Sequence, residues 1–217
     1  MPKIVDHDER RREVMSAARR VIVRDGIDAA TTRAIAKEAG YSNGVLAHYF
    51  ADKDEILLSA LGQSHERIRA RLTRKVGDAT GLAALRELLL DNLPLDAERT
   101  QETRLEVSFW SRSLASERLA EVQEAEAGEL RAAVRRLLEQ ARADGELRTE
   151  PQTEPQTGPR TEPQAEPHTG ADLDDLDDLT EHLLALVDGL SLHLLLYPGR
   201  LTRADAERLM LRALDRL

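Results

Sequence analysis

From Pro151 a proline recurs at every fourth position, at Pro155, Pro159, Pro163 and Pro167. No other feature limits the fold of this chain so sharply. Proline lacks a backbone N–H, and its ring collides with the carbonyl four residues back, so this spacing prohibits a helix across the whole stretch. The tetrads that carry the prolines, such as Thr149-Glu150-Pro151-Gln152 and Thr153-Glu154-Pro155-Gln156, have no apolar face to bury. Residues 149–171 are therefore expected to form a solvated, partly extended, Pro-rich loop. Apart from the single Arg160, the tetrads lack the apolar or basic anchors that a Pro-rich ligand for another protein would carry.

On both sides of that loop the apolar residues repeat with the period of a helix. Val14, Ala17, Ala18, Val21 and Ile22 fall at i, i+3, i+4, i+7 and i+8, one stripe of a helix over 8–25 that ends at Gly26. A short second helix is expected over 32–39, capped by Thr31 or Thr32 and stopped at Gly40. A third is expected over 43–49 behind Ser42 as N-cap. Asp52 and Glu55 stand at capping-box spacing and open a fourth helix from Lys53 to Lys75. Further helices are expected at 80–92, 96–115, 117–143, 173–197 and 202–216, the last behind Thr202. Nine helices and no strand make an all-α chain. The composition agrees, with 3% aromatic and 33% charged residues and few β-branched types beside Leu, Ala, Arg and Glu.

The absence of cysteine removes disulfides, thiolate metal sites and cysteine nucleophiles. Asp6, Asp8, Glu9 and Glu13 near the start are incompatible with a secretory signal, and no run of about 18 uncharged apolar residues is present. A soluble, cytoplasmic chain without contact to membrane is expected. The net charge of −9 is unevenly spread: residues 1–75 hold 15 of the 31 Lys and Arg and 11 of the 40 Asp and Glu, a net of +4. The remainder is strongly acidic, so a polyanion could approach only the first third.

Residues Thr31 to Phe50 carry the most chemistry. Helix, Gly40-Tyr41-Ser42, then helix is the spacing of a helix-turn-helix, whose second helix enters the major groove of DNA. Val45, Leu46, Tyr49 and Phe50 form the apolar side of the third helix. Asn43, Gly44, Ala47 and His48 lie away from it, where Asn and His can exchange hydrogen bonds with base edges and the two small residues permit close approach. Thr32, Arg33, Ser42, Tyr49 and Lys53 surround them with phosphate-type contacts. The same turn also serves as an ordinary corner in helical bundles, so spacing alone leaves both readings open.

The string from Thr31 through Phe50, which ends in His48-Tyr49-Phe50 and is followed by Asp52-Lys53, closely resembles the DNA-binding domain of the TetR family of bacterial transcriptional regulators. Leu93-Pro94-Leu95-Asp96, Val107-Ser108-Phe109-Trp110 and Leu186-Val187-Asp188-Gly189-Leu190 look like the BetI-type C-terminal domain of one branch of that family. The Pro tetrads depart from it, since most relatives join the seventh and eighth helices by a short connection. The resemblance implies a homodimeric regulator with a DNA-binding domain over 1–52 and a ligand-sensing and dimerisation domain over 53–217. It further implies a double-stranded, palindromic DNA operator, most often repressed, and release by a small-molecule inducer that the sequence does not name. It assigns base-edge roles to Asn43, Gly44, Ala47 and His48, and phosphate roles to Thr32, Ser42, Tyr49 and Lys53, with Arg33 beside them. Lys3 and Arg10-Arg11-Arg12 either touch the flanking DNA backbone or belong to a frayed terminus.

The eighth helix is apolar on more than one side, which calls for burial against more than one neighbour. Leu183, Val187, Leu190 and Leu194, with Leu209 and Leu214 of the last helix, are the candidate faces of a two-fold dimer. The alternative is that both helices form the centre of a monomer's core. Phe109, Trp110, Asp188 and His193 are the candidates for ligand contact, each with an ordinary core or surface role as its alternative. The acidic run Asp172 to Asp178 lacks the glycine and terminal Glu of a calcium loop, so neither a metal nor a cofactor is expected. No nucleophile elbow, P-loop, dinucleotide fingerprint or HExxH string is present, which argues against an enzyme. A helical scaffold or ligand-binding protein without operator binding is the remaining alternative.

Overall fold

The computed structural model describes residues 7–147 and 175–217. Among them nine helices follow in order: α1 (His7–Asp25), α2 (Thr32–Ala39), α3 (Asn43–Leu46), α4 (Lys53–Val76), α5 (Gly81–Asp91), α6 (Ala97–Ser113), α7 (Glu117–Ala143), α8 (Asp175–Leu196) and α9 (Arg203–Leu214). Among the described residues there is no β-strand. The Pro tetrads, Lys3 and Asp172 to Asp174 lie outside the described residues.

The local start and stop signals act as their chemistry demands. Thr31 Oγ1 accepts the Ala34 N–H at 3.1 Å and so opens α2. Gly40 ends it with φ at 75°, which lets the Tyr41 N–H reach the Ala36 carbonyl at 2.9 Å. A side chain at position 40 would strain that turn. Asp52 caps α4 through the Glu55 N–H at 2.7 Å, and Thr202 and Asp205 form a complete capping box on α9. Helix α3 is shorter than the expected 43–49. Beyond Leu46 the His48 and Tyr49 N–H groups bond three residues back, to Val45 and Leu46, so the chain tightens out of α-helix before Phe50.

Two apolar clusters organise the molecule. In the first, the expected stripe of α1 is fully buried and meets Ile35 and Ala36 of α2, Leu46, Phe50, and Ile56, Leu57, Ala60 and Leu61 of α4. Leu105 and Phe109 of α6 and Leu119 of α7 complete it. The first half of α4 thus shares the core of the helix-turn-helix, and the division expected after residue 52 falls inside one packed cluster. The second cluster joins Leu85, Leu88, Leu89 and Leu93 on and just after α5, Val134 and Leu138 of α7, Leu176, Leu183, Val187 and Leu190 of α8, and Ala206, Met210 and Leu214 of α9. Each Leu or Ile so buried contributes about 1.5–3 kcal/mol.

That second cluster corrects the expected dimer face. Leu183, Val187, Leu190 and Leu214 are 1%, 5%, 7% and 8% exposed, already covered by their own chain, and offer nothing to a second copy. Only Leu209 and the half-buried Leu194 keep accessible surface. The opposite side of α8 is open instead, with Ala185 and Leu196 exposed and Gly189 and Leu192 half-buried. Helix α8 is also the one described helix long and apolar enough to cross a bilayer, yet its inner stripe is packed in the core.

Along its second half α4 is tied by ions to the helices beside it. His65 stands between Glu106 of α6, bonded to Nε2, and Glu126 of α7, 3.1 Å from Nδ1. Burial works against a charged imidazole there, but Glu106 first and Glu126 with it outweigh burial and raise its pKa. One helical level further, the Arg71 guanidinium bridges Asp91 of α5 at 2.9 Å and Glu102 of α6 at 2.7 Å, with Lys75 also on Asp91. Burial would push the Asp91 carboxyl up, but Arg71 and Lys75 overcome it and hold it below the ordinary range.

Candidate nucleic-acid interface

The side chains of the α3 segment divide as base readout requires. Leu46 and Phe50 are 2% and 4% exposed and anchor it in the first cluster, whereas Asn43, Gly44, Ala47 and His48 all face solvent. Ser42 fixes the start of the helix, its Oγ accepting the Val45 N–H at 3.3 Å. A Cβ built on Gly44 would meet only Ser42 Oγ at 3.8 Å. Packing therefore does not demand glycine at 44, and the bare backbone leaves room for another molecule to come close.

The phosphate-type candidates form a rim around that surface, with one exception. Thr32, Arg33 and Ser42 are exposed, and Tyr49 is half-buried. Lys53 is also half-buried and turns back to donate to the Ile27 carbonyl at 3.4 Å, so it meets DNA only if it leaves that bond. Asp52 caps the N-terminus of α4 with its own carboxylate, which places negative charge where an anion would otherwise sit.

Several residues at this surface go beyond the expected set. Lys37, one helical turn after Arg33, is exposed and lines a shallow groove with Arg33, Ala36, Tyr41 and Asn43. Its i+4 spacing from Arg33 was the available signal. At the start of α1, the His7 ring lies 4.7 Å from that of Tyr49, and an Arg10 guanidinium nitrogen lies 3.5 Å from the Tyr49 hydroxyl. Nothing in the spacing of α1 announces this pairing, because it arises from how α1 crosses the end of α3. Arg10, Arg11 and Arg12 also separate: Arg12 folds onto its own helix at the Asp8 carbonyl, and Arg11 turns inward to Tyr49, Phe50 and Glu55.

The candidates for ligand contact do not form one group. Phe109 is 2% exposed within the first cluster, so its ring is core and not a cavity wall. Trp110 is half-buried on α6. Asp188 and His193 are exposed on α8, the imidazole edge-on to Tyr197 at 5.2 Å. Partial desolvation pushes the Asp188 carboxyl up. Among the described residues no group of three or more His, Asp or Glu is arranged to hold a metal ion.

Comparison with known proteins extends this geometry. The profile of bacterial regulatory proteins of the tetR family matches residues 14–60, and that of the BetI-type transcriptional repressor C-terminal part matches residues 81–157 and 164–217. The HTH-type transcriptional regulator PksA of Bacillus subtilis is 29% identical over 216 residues, covering 99% of this chain and 93% of that protein. The HTH-type transcriptional regulator BetI of Stenotrophomonas maltophilia is 32% identical over 127 residues, 58% of this chain and 65% of its own length. Among solved structures, a transcriptional regulator from Saccharomonospora viridis in complex with choline superposes with a TM-score of 0.80 at 20% identity, covering 96% of each chain. A transcriptional regulator from Rhodococcus follows with 0.74 at 23% identity, covering 94% of each. At these identities the structural likeness speaks for the fold.

Proposed function

Because the chain belongs to the TetR family of bacterial regulatory proteins, with a C-terminal part of the BetI type, we propose that it is a repressor released from a palindromic operator by a small-molecule inducer. It is a helix-turn-helix transcriptional regulator, and the proposal concerns how it acts. The observation that carries it is the division of the α3 segment, with Leu46 and Phe50 anchored and Asn43, Gly44, Ala47 and His48 presented. Asn43 and His48 supply hydrogen bonds to base edges, Gly44 and Ala47 the close approach, and Thr32, Arg33, Ser42 and Tyr49 the register on phosphates.

A four-residue helix reads few bases, so a second head on the same duplex face is required for affinity and register. The open side of α8 supplies the means. Ala185, Gly189, Leu192 and Leu196 follow at i, i+4, i+7 and i+11, and Leu196 and Leu209 are 58% and 37% exposed. Nothing lies within 4 Å of where a Cβ on Gly189 would stand, so a second α8 can approach backbone to backbone. Paired through α8 and α9, two heads meet half-sites about 34–36 Å apart. The inducer acts on the sensing half, where Trp110 is the proposed contact. The choline of the Saccharomonospora viridis structure belongs to that protein and does not name the inducer here. The site of action is cytoplasmic.

Fluorescence anisotropy of the purified protein on DNA from just upstream of its own gene, across a salt series, tests the proposal. Tight binding that scrambled DNA does not share, with log K falling by about 0.9 per phosphate contacted for each tenfold rise in salt, supports it. Equal affinity for both DNAs at every salt concentration counts against an operator at that place.

A further inference from the structure

The α3 segment is too short to hold itself in place. Four helical residues lie far below the length at which an isolated helix persists, so its direction must be imposed from outside. Ser42 fixes its start, and Leu46 and Phe50 hold its inner side. At its exit the His48 and Tyr49 N–H groups bond three residues back, the Phe50 N–H still reaches the Leu46 carbonyl at 3.0 Å, and the Ala51 N–H is held by a side chain. In this segment a small rotation would swing His48 and Tyr49 off the DNA.

We propose that Arg11 is the positioning residue for that exit, a latch that ties the end of the reading segment to α1 and α4 and does not itself touch DNA. The proposal rests on the DNA-reading role of α3 and adds a residue to it. Arg11 Nη1 donates to the Tyr49 carbonyl, and Nη2 donates to Glu55 Oε1 at 3.1 Å. The guanidinium carbon sits 4.3 Å from the centroid of the Phe50 ring. Glu55 completes the latch, since its other oxygen accepts the Ala51 N–H at 2.6 Å. One ion pair thus holds both a carbonyl and an N–H of the segment that links α3 to α4. Arg11 stands between two other arginines, which invites a phosphate role, but its guanidinium is engaged on three sides. The outward partner is Arg10, beside the Tyr49 hydroxyl. Lysine cannot replace the latch, because a point charge lacks the planar fork that serves two acceptors while stacking on a ring.

The test compares Arg11→Gln, Arg11→Lys and Glu55→Gln in the full chain by two readouts. Amide hydrogen exchange without DNA is the first. Exchange at Tyr49 to Ala51 is expected to rise in all three variants while the middle of α1 and of α4 stays protected. Specific and scrambled DNA are then titrated over a salt series. Arg11→Gln and Arg11→Lys are each expected to lose about tenfold in specific affinity, with scrambled-DNA affinity and salt slope unchanged. Arg11→Lys binding like the native chain, with Arg11→Gln losing about 0.9 in slope per head, would overturn the proposal in favour of a phosphate contact. Unaltered exchange at Tyr49 to Ala51 would also overturn it, whatever the DNA result. Should Arg11→Gln unfold the head, Glu55→Gln keeps a side chain of the same shape and decides alone. If the native chain itself fails to discriminate DNA sequences, the operator reading falls while the exchange readout still judges the latch.

Discussion

Helices α3 and α8 each turn one side inward and leave another uncovered, and the chemistry of the uncovered sides differs. On α3 it is Asn43, Gly44, Ala47 and His48, polar or small groups that match base edges. On α8 it is Ala185, Gly189, Leu192 and Leu196, small or apolar groups with nothing to offer DNA and every reason to leave water. An inner stripe says only that a helix is packed, whereas the outer side says what it is packed for. The proposed function rests on that difference, with DNA read by the one side and a second copy paired through the other.

The largest effect is expected at the seam. Gly189→Glu places a charge where backbones would meet, and the vacancy around Gly189 means the single chain accommodates it. Light scattering should then find monomers with native helix content, and operator affinity should fall by more than about 100-fold because each head binds alone. A dimer that persists in Gly189→Glu would break the comparison by placing the second copy elsewhere.

A smaller loss is expected on the reading side. His48→Ala removes one base-edge contact and should cost about 1–3 kcal/mol of specific binding with the dimer intact. Its effect on scrambled DNA should be slight. If both DNAs weaken equally, His48 positions the protein and does not read sequence.

The contrast between the two helices also explains what the sequence conveyed. The division of α3 was legible because its anchors, Leu46 and Phe50, and its outward residues alternate within one turn, and one core covers them. On α8 leucine occupies both sides, so periodicity could not tell Leu183, Val187 and Leu190, which lie in the second cluster with α7 and α9, from Leu192 and Leu196, which face outward. The identity of the neighbour decides, and that is a tertiary fact. The ion pairs of α4 were hidden for the same reason: His65, Glu106 and Glu126 lie up to 61 positions apart in the chain and meet only once three helices pack. Helix α3 falls short of the expected 43–49 because the apolar pattern runs on through Tyr49, whose N–H, like that of His48, has already tightened to a bond three residues back.

Between the seam and the heads, α4 should carry a pH dependence. The folded-state pKa of His65 is raised above its unfolded value of about 6.5. The stabilisation is therefore complete below that value and is lost as pH rises through the folded pKa. Melting at pH 6 should exceed melting at pH 8 by an amount that His65→Gln abolishes, and a difference that survives in His65→Gln would assign it to other groups. Each kcal/mol lost corresponds to about 2–4 °C for a chain of this size.

The smallest effect is expected where α6 reaches the reading head at its surface. Arg112 lies 3.4 Å from Asp28, in the connection between α1 and α2, and the two side chains are 38% and 86% exposed. Water screens such a pair, and ordering two long side chains offsets most of what attraction remains. Asp28→Asn should therefore leave both melting and operator affinity almost unchanged. Arg118 and Asp52 lie 3.2 Å apart at the same end of the molecule and are about half exposed, yet Asp52 also caps α4 through the Glu55 N–H. Asp52→Ala should accordingly lower the melting temperature through loss of the cap, and Arg118→Ala should leave it almost unchanged. Equal losses in Asp52→Ala and Arg118→Ala, measured by thermal melting, would mean that the surface pairs and not the buried ions of α4 join the head to the sensing half.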